Sequence, residues 1–188
     1  GEQGLSWKQL CEGVSHFYYI YHAFNDLGIL QSLGRLGERL MRPLQAALLP
    51  RASSDLAGGR PLRVGVVSHH IRKHSIWWDK LQGFFALVPD DVELHTFSLG
   101  SVEDEQTQLA KAKSTSFMGG IHSIEDWVRA ISKHELDVLY YPEIGLGAMT
   151  YRLACLRLAP VQFTSWGNPQ TSGLPHMDYF LSARVFEA

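Results

Sequence analysis

The stretch Arg63-Val64-Gly65-Val66-Val67-Ser68 (RVGVVS) is short, rich in β-branched residues and bounded by polar ones. Such a run reads as a buried strand. Outward from it, runs of the same kind stand at Val92–Leu99, Leu136–Tyr141, Val161–Trp166 and, more weakly, Tyr179–Ser182. Between them the rhythm turns helical. Trp77, Leu81, Phe84, Phe85 and Val88 form one such stretch, and Ile124, Trp127, Val128 and Ile131 another. Strands alternating with helices predict an α/β fold with a mostly parallel sheet and helices on both faces. Crossovers between parallel strands are right-handed, so the layout expected is Rossmann-like.

Upstream the pattern differs. Residues 50–61, PRASSDLAGGRP, have the composition of a linker. Before them, Trp7, Leu10, Cys11, Val14, Phe17, Tyr18, Tyr21 and Phe24 recur at steps of three and four. After an interruption at Asn25, Asp26 and Gly28 come Leu30, Leu33, Leu36, Leu40, Met41, Leu44 and Leu48. These stripes predict an N-terminal helical hairpin, with Pro43 kinking or restarting its second helix. The run Phe17, Tyr18, Tyr19, Tyr21 is read as packing at helical spacing. Two units are therefore expected: a helical linker segment over residues 1–50 and a Rossmann-like lobe over 61–188.

Composition narrows the function classes. The chain has 188 residues, 45% of them apolar, with 17 basic and 19 acidic side chains. That is enough apolar material for a core, and disorder is excluded. A near-neutral balance argues against a broad nucleic-acid surface. Cys11 and Cys155 make neither a disulfide framework nor a metal knuckle, and read as buried thiols in a reducing compartment. No apolar run reaches the ~20 residues of a membrane span, and the first residues lack a secretory pattern. The expectation is a soluble, cytoplasmic chain with no membrane partner.

In open α/β sheets, ligands bind beyond the carboxyl ends of the strands. Three loops are selected by that rule. The first, Ser68 to Ser75, has no GxGxxG and no Walker pair. It carries His69, His70, Arg72, Lys73 and His74, without acidic or thiol partners at metal-ligand spacing. His74 stands just before a helix, where the positive end of the dipole disfavours imidazolium. It is a candidate general base, or else a cap of that helix. The second loop, Pro142 to Thr150, brings Glu143, which can bind a hydroxyl or orient a base, or stand solvated in a tight turn. The third, Trp166 to Gly173, can present amides and hydroxyls to a sugar or phosphate, or serve as an ordinary turn.

These residues carry a resemblance. LRVGVVSHHIRKHS, then LQGFF and ELHTFSLG, are similar to the start of the catalytic region of the TPR-linked O-GlcNAc transferase (SPINDLY-type) family. LDVLYYPEIGLGAMTYRLACLRLAPVQFTSWGNPQTSGLPHMDYFLS resembles it more sharply, through LRLAPVQ, WGNPQTSG and MDYFLS in order. The resemblance covers about Arg60–Ala188. It implies the N-terminal lobe of a GT-B enzyme that transfers GlcNAc from UDP-GlcNAc to protein Ser or Thr, with inversion and without a metal or other cofactor. It implies that His74 is the catalytic histidine of the cleft. It also implies that Gly167, Pro169, Thr171, Ser172 and Gly173 line the sugar and acceptor side. Ser68, Glu143 and Asn168 join them as candidate substrate-binding residues.

The implied partners are a UDP-sugar, a protein acceptor and a C-terminal lobe holding most of the nucleotide, so the chain alone is expected to be inactive. Departures from the family pattern stand at Trp78, Arg129 and Ser132, where some members carry histidine or acidic groups. Pro142-Glu143 is the form of bacterial members. The alternatives are the corresponding lobe of an Asn-modifying hexosyltransferase, and a free-standing binding module without catalysis. A missing lobe predicts exposed apolar surface, with Trp77, Trp78 and Trp166 as candidates, and self-association as a way to cover it. The other reading is that these tryptophans are core, and for Trp77 that is the one expected.

Overall fold

A computed structural model describes Tyr21, residues 24–49 and residues 59–186. The first helix of the expected hairpin and the 50–58 stretch of the linker lie outside these residues, as does Cys11. The second helix is present as α1, Leu27–Leu48. It runs through Pro43 as one element, so of the kink or restart expected there the restart does not occur. Its buried residues, Leu30, Gly34, Gly37 and Met41, fall on a single stripe at steps of four, three and four.

Six strands follow: β1 Leu62–Ser68, β2 Val92–Ser98, β3 Ser116–Met118, β4 Val138–Tyr141, β5 Val161–Ser165 and β6 Tyr179–Leu181. They form one sheet in the order β3-β2-β1-β4-β5-β6, and every pairing is parallel. This is the Rossmann order, with its reversal of direction between β1 and β4. The connections are helical. A π-helical turn, Trp77–Leu81, runs into α2, Gln82–Ala86. The others are α3 Glu105–Lys113, α4 Ile124–Ser132 and α5 Ala148–Ala154. Strand β3 has no counterpart among the predicted strands. Its three residues, Ser-Phe-Met, are too few to show a period.

The sheet separates two cores. Val64 and Val66 of β1 face Trp77, Leu81, Phe85 and Ala110 from α2, α3 and the π-turn. Val67 faces the other side, among Met41 of α1, Trp127, Val128 and Ile131 of α4, and Leu153 of α5. A central strand covered on both faces must be apolar throughout, which is why RVGVVS does not alternate. Because Met41 lies in that same core, α1 packs as a layer of the lobe. Trp77 and Cys155 are buried; Trp78 is 47% exposed. Tyr179, Phe180 and Leu181, on the edge strand β6, are exposed too, as are Tyr21 and Phe24. No helix among the described residues is long and apolar enough to cross a membrane.

Candidate functional site at the strand switch point

Strands β1 and β4 lie side by side at the reversal, so the loops after them start together. Glu143 is 0% exposed. Its carboxyl accepts hydrogen bonds from Ser68 Oγ at 2.9 and 3.0 Å and from the His69 amide at 2.9 Å. Ser68 Oγ in turn accepts from the His70 amide at 2.9 Å. The first loop is thereby folded down onto the second. Burial pushes the Glu143 carboxyl up to about 8, against the pull of the His69 and Ser68 bonds. Of the readings open to this residue, the solvated one does not apply. Glu143 brackets the backbone of the β1 loop.

Above that bracket sit three imidazoles. The His70 and His74 rings stack, with centroids 3.8 Å apart and planes 10° from parallel. Burial lowers all three. For His70 the neighbouring His74, Arg72 and His69 add to it and bring the ring to about 4. Arg72 also lowers His74. The expected direction at His74 is therefore found, with burial first and Arg72 second as its causes. His74 Nδ1 accepts the Ile76 amide at 3.2 Å, and its carbonyl accepts the Trp78 amide at 3.2 Å. It caps the start of the helix. This bond has a chemical consequence. A neutral imidazole whose Nδ1 is an acceptor carries its proton on Nε2. His74 thus offers a donor at Nε2, and it becomes a base only by releasing the Ile76 amide.

The third loop is tied down elsewhere. Gly167 lies so close to β4's loop that a Cβ there would stand 2.1 Å from the Pro142 carbonyl oxygen. Asn168 is buried and its Nδ2 donates to the Ile144 carbonyl at 3.1 Å. Ser165 Oγ donates to the Pro142 carbonyl at 3.1 Å. Pro169 is exposed. Thr171 and Ser172 accept from the Gly173 and Leu174 amides, closing two tight turns. Gly173, at φ +65°, packs on α1. A Cβ there would meet the Leu30 backbone at 2.3 Å, and a Cβ on Gly34 would meet the Gly173 carbonyl at the same distance. Thr171 and Gly173 line a groove of about 440 Å³ with Gln31, Arg35 and Glu38 of α1.

The sequence candidates therefore divide. Ser68 and Glu143 come together, and His74 stands beyond them, stacked on His70. Gly167 and Asn168 clamp the second loop to the third, and Thr171, Ser172 and Gly173 face α1. Near the end of β5, Lys80 Nζ sits 4.5 Å over the Trp166 ring, its side chain buried and its ammonium lowered by burial.

Sequence reasoning missed the larger feature. A cleft of about 740 Å³ lies over the carboxyl ends of β1 to β4. His69, His70 and Arg72 line it from the first loop, Gly100 and Ser101 from the loop after β2. His122 comes from the loop after β3 and Arg152 from α5. The signals were SLGS after β2 and GGIH after β3. Without β3 recognised, the second of these was not seen to start at a strand end. Among the described residues, no group of three or more His, Cys, Asp or Glu side chains is placed to hold a metal ion.

No family model matches the chain, and no curated protein matches it. Among solved structures it is similar to a mutant of the O-GlcNAc transferase of Thermobaculum terrenum, with a TM-score of 0.69 and 20% identity. The match covers 95% of this chain and 34% of that one, so the chain spans about a third of that protein's length. At this identity the likeness establishes the fold: an all-parallel, Rossmann-like α/β lobe.

Proposed function

We propose that the chain is the N-terminal lobe of an inverting, metal-independent GT-B glycosyltransferase. It would act with a C-terminal lobe to move GlcNAc from UDP-GlcNAc to Ser or Thr of a cytoplasmic protein acceptor. One observation carries the reading. A neutral histidine is fixed directly after β1, on a sheet whose fold matches one third of an O-GlcNAc transferase. An inverting transfer needs an acceptor held in line behind the anomeric carbon and a route for its proton. Ser68 and Glu143 hold the loop that presents His74, and His74 Nε2–H is the donor available to position a reacting oxygen. The departing diphosphate needs positive charge, which this reading assigns mainly to the second lobe.

The test uses the two-lobed enzyme. His74→Ala is expected to lower transfer by about 100-fold or more, with the folded state retained. Unchanged turnover would remove His74 from the mechanism. The 188-residue chain alone is expected to show no micromolar binding of UDP-GlcNAc in calorimetry, and micromolar binding would overturn the two-lobe account.

A further inference from the structure

The 740 Å³ cleft is lined by the loops after β1, β2, β3 and β4 and by α5. Among the described residues, its charged lining residues are Arg72 and Arg152, with no aspartate or glutamate. Elsewhere cations meet carboxylates: Arg60 meets Asp137, Arg63 meets Glu93 and Glu135, and Arg157 meets Asp178. Among the described residues Arg72 forms no ion pair. Its guanidinium donates only to the Lys73 carbonyl, at 3.3 Å. Of the carboxylates bound to this loop, Glu143 is engaged by Ser68 and the His69 amide, and Asp104 by the Lys73 amide.

Three imidazoles, His69, His70 and His122, add ring nitrogens to the lining, and His70 Nδ1 is buried with no hydrogen-bond partner. The His69 ring is seated against Gly147, where a Cβ would stand 2.6 Å away. So the lining presents guanidinium, imidazole and the Ser101 hydroxyl over the strand switch point, where ligands of open α/β sheets bind. The Arg72 guanidinium beside several N–H donors, with no carboxylate among the described lining residues, is complementary to a tetrahedral oxyanion.

We infer that the cleft formed by the loops after β1, β2 and β3 and by α5 is a binding site for a phosphate group. The phosphate can be that of a nucleotide diphosphate or one carried by another ligand. The inference does not rest on the transferase reading. Failure of phosphate binding leaves the two-lobe enzyme untouched, and loss of the His74 effect leaves the cleft untouched.

The experiment is a titration of the 188-residue chain with inorganic phosphate, then with pyrophosphate and UDP, at constant ionic strength set by sodium chloride. It is followed by the amide resonances of Gly100, Ser101, Gly120, His122 and Gly147. Saturable shifts at these amides with phosphate, at about millimolar concentrations, are expected. Arg72→Gln should weaken the fit about tenfold. Lys113→Gln, on an exposed residue at the end of α3 away from the cleft, should leave it unchanged. Tighter binding of pyrophosphate and UDP than of phosphate at the same amides assigns the site to a nucleotide diphosphate. Equal binding assigns it to a phosphate on another ligand. Shifts that sodium chloride alone reproduces, no shifts at about 50 mM phosphate, or shifts that persist unaltered in a folded Arg72→Gln chain would overturn the site.

Discussion

At the amino ends of the strands, Asp137 is 5% exposed and meets full compensation. Both its oxygens take the Arg60 guanidinium at 2.7 Å, and one also takes the Arg63 amide at 2.9 Å. Burial would raise this carboxyl, but the Arg60 bond and the Arg63 amide outweigh it and hold it low. At the carboxyl ends, Glu143 is buried still deeper, with a hydroxyl and an amide and no cation. The same functional group is thus kept ionised at one end and driven toward neutrality at the other. Among the described residues, Arg72 on the loop after β1 forms no ion pair and donates to the Lys73 carbonyl. Charge at the amino end is consumed in holding the fold; at the carboxyl end Lys73 meets Glu105, whereas Arg72 lines a cleft. Such groups at a sheet's ligand-binding edge are candidates for a functional site.

Substitutions can break this contrast. Asp137→Ala should have the largest effect, about 3 kcal/mol of stability lost in urea unfolding, because it leaves Arg60 and the Arg63 amide without their partner. Glu143→Ala should cost about 2 kcal/mol by the same measurement, from a cavity and two unpaired donors. If it cost as much as Asp137→Ala, the two ends would not differ in kind.

Glu143→Gln sharpens the point through pH. A carboxyl that keeps its proton to about 8 when folded, and loses it near 4 to 5 when unfolded, favours the folded chain at low pH. Its contribution is complete below the unfolded value and is lost as pH rises toward 8, by at most about 1.4 kcal/mol per pH unit. The stability difference between the wild-type chain and Glu143→Gln should therefore shift toward the variant between pH 5 and 8. A pH-independent difference would place the Glu143 proton elsewhere. The buried histidines titrate in both proteins and cancel in this difference. Smallest of all, Arg72→Gln should move stability by less than about 0.5 kcal/mol, whatever it does to phosphate.

Much of the fold was legible from side-chain type. β1, β2, β4 and β5 are runs of apolar and β-branched residues long enough to register, and β6 was visible faintly. β3 was not, since three residues carry no period. Trp77 reads correctly as core because it sits in step with Leu81 and Phe85. The site was legible in place but not in wiring. His74 before a helix start is a local pattern, and its capping bond spans two residues. The Ser68–Glu143 bracket joins residues 75 apart in sequence. Only the sheet order brings them together, and until that order is known PEIGLG reads equally as a solvated turn or as a loop whose glutamate binds a hydroxyl. The cleft depends also on the loops after β2 and β3, and the second of these follows a strand too short to be read.

The Gly34–Gly173 contact carries a mechanical meaning. Where helix and loop meet backbone to backbone, no side chain can rotate to absorb a displacement. A shift of α1 at Gly34 must be followed by the third loop at Gly173. Through Asn168 on Ile144 and Gly167 against Pro142, it then passes toward the loop that carries Glu143. Helix α1 is in this way part of the floor on which the β4 loop rests.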